Sequence, residues 1–454
     1  AKGKKLGTDG QVLFDLTALN SVLDTARYGK ARNLIGTTFP EGTKNVAKIT
    51  LAKAIVAYDW KQKTIVWTLP LERGIGHQDF CHASRSLAFT KDYNLFVTTP
   101  DGRTHQVSTD GNRELLYGTS VHRDEFGIHK GTFWSPKGDQ LAFYRMDQSM
   151  VTDFPLVNTL VSQEVRIAQP APEKYPMAGM AMHKVTVGIF SPATDRTVWL
   201  ELGDVTDRYF TNLSWSPDGK TLYIMEVPRS QKRCDLVAYD ATTGKRLKTL
   251  YTETNDRFVE PQNPLTFLPW DEHKFIYQSE RDGFRASLSE NGRYLRDTWS
   301  TPTDYRHIDI KSTEKKQTLS SLLNAENPWR NFTMPEVENG SILAADGKTP
   351  LYYRLVKPVD FDPTKKYPAV VYVYGGPHAT NVKESFNYQA RPWEYYMANR
   401  GYVLFILDNR GSGDRGFDFE SCTHRHLGKI EMEDQMKGVE KLTSLSYVDA
   451  NRLG

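Results

Sequence analysis

The feature that most constrains this chain is a degenerate repeat: an aromatic residue, Ser-Pro, a polar turn with glycine, then an apolar strand. It reads Phe133-Trp134-Ser135-Pro136-Lys137-Gly138-Asp139-Gln140-Leu141-Ala142-Phe143, and returns as Leu213-Ser214-Trp215-Ser216-Pro217-Asp218-Gly219-Lys220-Thr221-Leu222-Tyr223-Ile224. Weaker copies stand at Ala83–Phe89, Phe267–Asp271 and Leu288–Leu295. Between them, from about residue 45 to 325, run short β-rich segments broken by Gly, Asp, Asn and Pro; Asp240-Ala241-Thr242-Thr243-Gly244-Lys245 supplies one hairpin turn. A four-stranded unit repeated with such turn signals predicts a β-propeller. An irregular sandwich would not need the same tag in each unit.

The spacing of the tags also predicts two irregularities. A blade takes about 40–50 residues, yet Pro269-Trp270 and Ser289 stand only about 20 apart, too few for four strands. The expectation is a propeller of about eight blades with a stretch missing near Phe284/Arg285. The wider gap from Ser135 to Ser216 predicts an insertion, placed at Asp153 to Met182, which is rich in proline.

Past residue 330 the pattern changes. Glu336–Leu343 and Leu351–Val356 read as a hairpin around Asp346-Gly347. Two buried strands then break into glycine turns, at Ala369–Tyr374 before Gly375-Gly376-Pro377 and at Tyr402–Leu407 before Asp408-Asn409-Arg410-Gly411. A helical stretch from about Lys429 to Ser444 leads to Tyr447–Gly454. Antiparallel strands followed by alternating parallel strands and helices predict the opening of an α/β-hydrolase sheet. In that fold the following strand carries the G-x-S-x-G elbow, a motif absent from all 454 residues. The division expected is 1–330, a propeller domain with an N-terminal arm, and 331–454, a hydrolase domain cut before its nucleophile elbow.

Composition narrows the partners. Net charge is +3, with Lys and Arg scattered among acids, so a nucleic-acid partner has no electrostatic footprint. Cys81, Cys234 and Cys422 lie far apart, which indicates neither a disulfide framework nor a zinc cluster. His122, His129, His378, His424 and His426 lack metal-ligand spacing, so no metal or cofactor is expected. No apolar run is long enough to span a bilayer.

Several motifs together carry a family likeness: Val121-His122-Arg123-Asp124-Glu125-Phe126-Gly127-Ile128, Phe143-Tyr144-Arg145-Met146-Asp147, Tyr175-Pro176-Met177-Ala178-Gly179, Val373-Tyr374-Gly375-Gly376-Pro377, Asp408-Asn409-Arg410-Gly411-Ser412, and Arg425-His426-Leu427-Gly428 with Glu433-Asp434-Gln435. In this order they resemble the dipeptidyl peptidase IV branch of the prolyl oligopeptidase clan, most of all its bacterial prolyl tripeptidyl peptidases. The resemblance implies a serine exopeptidase that releases N-terminal di- or tripeptides after proline, from proline-containing peptides with a free N-terminus. It also implies a cavity between propeller and hydrolase, a homodimer, and an extracytoplasmic location in a bacterium, periplasmic or at the outer membrane. The catalytic Ser, Asp and His of that family would all lie beyond residue 454, and the chain alone should be inactive. The alternative is a propeller-based peptide-binding module with a vestigial hydrolase domain.

The candidate residues follow from the chemistry. A peptidase needs a donor aimed at the oxyanion of its tetrahedral intermediate; Tyr374, at a strand end before two glycines, matches the family's tyrosine for this role. An exopeptidase must hold an ammonium ion, which carboxylates do through charge-assisted hydrogen bonds. The family's paired acids fall on Asp124 and Glu125, with Glu125 the better match. Asp at the first position is one methylene shorter than the family's usual Glu, which implies a roomier, tripeptide-accepting site. Phe258 either walls the subsite beside proline or fills the propeller core. Asp408 and Arg410 are expected to fix the turn beside the site, and Ser412, outside any G-x-S-x-G frame, is not the nucleophile.

Overall fold

The computed structural model describes residues 13–40, 43–159, 162, 164–268, 271–279, 294–312, 315 and 317–454. The chain forms two compact units, essentially Asp9–Gln278 and Ser279–Gly454.

The first unit is a series of antiparallel meanders. Strands Val46–Thr50, Ala54–Asp59 and Thr64–Pro70 make a first sheet, and Gly76–Phe80, Leu87–Lys91, Asn94–Thr98 and Thr104–Gln106 a second, each in chain order. The third is built on Leu141–Asp147, flanked outward by Lys184–Ser191 and Arg196–Trp199. A fourth runs through Arg208–Trp215, Thr221–Pro228, Arg233–Asp240 and Arg246–Thr254, and Thr266–Leu268 then pairs with Asp271–Ile276. These are blade-like sheets, as the repeat predicts.

Local chemistry explains why the tag makes a hairpin. The Ser135 hydroxyl donates to Asp139 and accepts from the Gln140 amide, while Ser216 donates to Asp218 and accepts from Thr221. One hydroxyl closes each turn, and Gly138 and Gly219 take up the positive φ (+71° and +76°) at its tip. The aromatic of the tag does the longer-range work. Trp134 donates its indole N–H to the Asp79 carbonyl of the preceding sheet at 3.1 Å, and Trp215 does the same to Phe133 at 3.0 Å. The sheets also share cores pairwise. Ile55 and Leu69 pack with Leu87 and Phe89, Ala88 and Val97 with Leu141 and Phe143, and Tyr144 and Val187 with Phe210 and Ile224.

The third sheet is interrupted in a way the tag does not announce. Its inner position is split between Leu115–Tyr117, which pairs with Arg145–Asp147, and Thr132–Trp134, which pairs with Leu141–Phe143. Residues 118–131 therefore leave and rejoin one strand position, and they carry the Asp124-Glu125 turn. The insertion expected at 153–182 forms an arm of two short ribbons, Asp153–Phe154 with Glu173–Lys174 and Val157–Asn158 with Gln169–Pro170.

In the second unit Tyr294–Trp299, Arg306–Ser312 and Gln317–Ala325 form another three-stranded meander. It meets the rest of the unit through Asn387 N–H donating to Pro302 O (3.0 Å) and an edge-to-face contact of Tyr305 with Phe386. The five-stranded sheet has the order Val337–Leu343, Pro350–Val356, Val403–Leu407, Tyr367–Tyr372, Val448–Leu453. The first pair is an antiparallel hairpin; the strands at 367, 403 and 448 run parallel. Residues 403–407 are buried throughout, as a strand covered on both faces requires. Phe405 and Leu407 pack with Leu442 of helix Ile430–Thr443, while Leu404 and Ile406 pack with Tyr395 and Ala398 of helix Pro392–Asn399. This is the opening of an α/β-hydrolase sheet. The break expected near Phe284/Arg285 lies outside the described residues.

Candidate active site

The acid turn is built from an unusual backbone. His122, Arg123, Asp124, Phe126 and Gly127 all have φ between +52° and +71°, with only Glu125 extended (φ −61°, ψ 155°). Each non-glycine residue in this region costs roughly 1–2 kcal/mol, so the turn persists only because its surroundings hold it. The Phe126 carbonyl accepts from Thr211 Oγ1 (2.8 Å) and Asn212 Nδ2 (3.2 Å), and the same Asn212 amide reaches Pro261 O (2.9 Å). Phe126 itself is buried among Met225, Leu236 and Val259. Gly127 is required twice over: its φ is +71°, and a Cβ there would stand 2.1 Å from the Gln262 carbonyl.

The turn's charged side chains face outward. Arg123 lies 4.7 Å from the Tyr175 ring and 3.3 Å from Glu173, so the arm clamps the turn from one side. Asp124 accepts a short hydrogen bond from the Ser120 hydroxyl. Glu125 is exposed, and its charge contributes, after burial, to raising the pKa of the Tyr209 phenol. Behind the turn, His122 is 3 % exposed, edge-on to His183 (centroids 5.9 Å) and Tyr209 (4.8 Å). Neither nitrogen of the His122 ring has a hydrogen-bond partner among the described residues. Burial, and then the charge of His183, pushes the His122 pKa down to about 3; burial and the charge of Arg123 push His183 down to about 4.

Phe258 is half-buried, in the segment anchored by Val259 in the core and by the Val259 amide on Gln231 O (2.6 Å). Asn212, bridging Phe126 and Pro261, ties this segment to the acid turn. The structure thus brings Asp124, Glu125 and Phe258 onto one assembly, although 133 positions separate Glu125 from Phe258. Asn212 and His183 were not legible in the sequence. The former sits at a bulge in Arg208–Trp215 with φ +53°, and Asn within a β-rich run is the one weak signal for it.

Tyr374 belongs to the second unit. The strand closes at Tyr372, two residues earlier than the apolar run suggests; Val373 and Tyr374 emerge beyond the carboxyl end of the sheet, 48 % and 63 % exposed. Gly375, with φ +73°, turns the chain there. A Cβ on Gly376 would meet Tyr374 Cε1 at 2.9 Å, so the ring lies against backbone that only glycine leaves open. Among the described residues the Tyr374 hydroxyl has no hydrogen-bond partner.

The neighbouring loop is rigidly held. Asp408, 2 % exposed, accepts from the amides of Asn381 (2.9 Å) and Val382 (2.8 Å), and burial raises its pKa despite those bonds. Arg410 forms a two-pronged pair with the fully buried Asp434 (2.9 and 2.8 Å) and reaches Asp346 at 3.1 Å. Asp434 also accepts from the Ala345 amide, tying hairpin, loop and helix together. These two residues fix the turn, as expected. Ser412 is 3 % exposed. His378 pairs with Glu420. No group of three or more His, Cys, Asp or Glu suited to a metal occurs among the described residues.

Comparison with known proteins agrees with this architecture. Residues 39–286 match the dipeptidyl peptidase IV N-terminal region, and 388–454 match the prolyl oligopeptidase family. A solved structure described as a dipeptidyl aminopeptidase IV from Bacteroides ovatus is 39 % identical, with a TM-score of 0.90, over 98 % of this chain and 74 % of that one. Porphyromonas gingivalis dipeptidyl peptidase 4 shares the fold at 22 % identity (TM-score 0.75, over 92 % of this chain and 68 % of that one). Among curated proteins, one from Coccidioides posadasii described as a dipeptidyl-aminopeptidase B is 23 % identical over 84 % of this chain and 52 % of its own length. The chain spans about half the length of the curated relatives it matches.

Proposed function

Since the chain belongs to the dipeptidyl peptidase IV family, we propose that the protein is a serine exopeptidase that releases N-terminal di- or tripeptides after proline through an acyl-enzyme. The observation that carries this reading is Tyr374: an exposed phenol without a partner among the described residues, at the carboxyl end of a parallel strand, its ring against Gly376. Donors for an oxyanion must be preorganised; this ring lies against Gly376, and the segment after it is tied by the His378 amide, which donates to Gly411 O at 3.0 Å, to the loop that the Arg410–Asp434 pair holds. Glu125 holds the substrate's ammonium. Asp124, already engaged by Ser120, assists, and the reduced reach of its shorter side chain favours a three-residue product. Phe258 walls the subsite beside proline.

These 454 residues hold no G-x-S-x-G motif, and they span about half the length of the curated relatives they match. We further assign residues 1–330 to a propeller of about eight blades, the meander at 294–325 its last, and 331–454 to the hydrolase domain. The family likeness supports a homodimer located outside the cytoplasm, periplasmic or at the outer membrane. Among the described residues no helix is long and apolar enough to cross a membrane.

The test is to read the codons after Gly454 and assay the longer product. A G-x-S-x-G serine, with turnover of Gly-Pro-p-nitroanilide or Ala-Ala-Pro-p-nitroanilide but not of their N-acetyl forms, is the expected outcome; the ratio of the two sets the product length. A stop codon, or an elbow without serine, would leave a peptide-binding module instead.

A further inference from the structure

We propose that Asn212 is a specificity-determining positioning residue. Its side-chain amide sets the acid turn against the Phe258 segment, and so couples recognition of a free amino terminus to recognition of the residue beside proline. This rests on the proposed roles of Glu125 and Phe258.

Neither piece contains a strand to hold it. Residues 118–131 lie between Leu115–Tyr117 and Thr132–Trp134, and residues 255–265 between Arg246–Thr254 and Thr266–Leu268. They touch backbone to backbone, since a Cβ on Gly127 would stand 2.1 Å from Gln262 O. A third element sets their register. In Arg208–Trp215 the pairing with Thr221–Pro228 shifts between Thr211 and Ser214, and a bulge of this kind re-aims side chains. Thr211, Asn212 and Ser214 are all buried there. Thr211 grips the turn, donating to Phe126 O at 2.8 Å. Ser214 grips the segment, accepting from the Leu265 amide at 3.0 Å while donating to Asn212 O. The Asn212 amide reaches both, donating to Phe126 O at 3.2 Å and to Pro261 O at 2.9 Å.

The residue type follows from these demands. Two carbonyls call for two N–H donors, which a side-chain amide nitrogen carries. The backbone at this position has φ +53°, a region that asparagine tolerates better than most residues. Glycine would meet the angle without a donor, and aspartate would meet it with acceptors alone. Phe126 directly follows Glu125, and Pro261 is the third residue after Phe258. A shift at either carbonyl therefore passes to a recognition side chain over a short stretch of chain.

Asn212→Asp keeps the shape and removes both donors. Asn212→Gly keeps the angle, adds no charge, and serves if the aspartate variant does not fold. Hydrogen exchange of the 454-residue chain reads the joint. The Ile128 amide, which donates to Glu125 O, and the Val259 amide, which donates to Gln231 O, should lose protection together, about tenfold or more, while Thr221–Pro228 and Arg233–Asp240 match the parent. Loss in one piece alone, in neither, or equally in the strands overturns the proposal. In the peptidase assay, the variant should raise KM about tenfold for Gly-Pro-p-nitroanilide and Ala-Ala-Pro-p-nitroanilide, act little on kcat, and alter the ratio between the two substrates. An unaltered KM and ratio beside an active parent overturn this role and leave the proposed function standing. A parent without turnover overturns the proposed function and this role with it.

Discussion

Acidification should destabilise the first unit through His122, by an amount the structure lets one work out. The ring is 3 % exposed, packed between His183 and Tyr209, with Phe126 edge-on to the same tyrosine and no hydrogen-bond partner at either nitrogen among the described residues. In the unfolded chain the imidazole takes a proton near pH 6.5; in the folded one, only near pH 3. Between those values the unfolded state binds more protons, so stability is complete above pH 6.5 and declines as the pH falls, until the folded ring protonates as well. At pH 5 the difference is RT ln(1 + 10^1.5), about 2 kcal/mol for this residue alone, or roughly a thirtyfold change in the folding constant. His183, whose pKa is lowered to about 4, acts in the same direction. Replacing His122 by Phe removes the titration without removing a hydrogen bond. Hydrogen exchange of peptides covering Leu141–Asp147 and Arg208–Trp215, corrected for intrinsic rates at pH 7 and pH 5, confines the readout to this unit. Protection should fall roughly thirtyfold more in the parent than in His122→Phe. The same fall in both proteins would show that this histidine is not the acid-sensitive group.

The other expectations concern catalysis and packing. Under the proposed function, Tyr374→Phe should lower kcat about 10²–10³-fold with little change in KM, because the lost bond forms mainly in the transition state; an unchanged kcat removes the tyrosine from the oxyanion role. Glu125→Gln should cost about 1.5–3 kcal/mol in kcat/KM on free-amine substrates and leave N-acylated ones, already poor, unaffected. Asp434→Asn breaks a buried two-pronged pair with Arg410, and should destabilise the second unit by about 3–5 kcal/mol in urea titrations. Trp215→Phe deletes the indole bond to Phe133 between adjacent sheets, and its loss should be about 1 kcal/mol by the same measurement.

Local chemistry made much of the fold legible. The Ser-Pro-x-Gly tag predicts a hairpin because serine, turn acid and glycine satisfy one another within six residues, as Ser135 with Asp139 and Ser216 with Asp218 do. The hydrolase strands declare themselves because a strand covered on both faces must be apolar throughout, as Val403–Leu407 is. Asp124, Glu125 and Tyr374 are proposed through motif likeness, since each stands in a contiguous run. Tertiary structure alone decided the rest. That 118–131 leaves and rejoins one strand position depends on which residues pair with Leu141–Asp147, a choice made between distant segments. The left-handed backbone of the acid turn is affordable only with Asn212, Pro261 and Gln262 pressed against it. The buried, neutral His122 reads as an ordinary titratable residue in the sequence, because a side chain's solvation is set by what the fold packs around it and not by its neighbours along the chain.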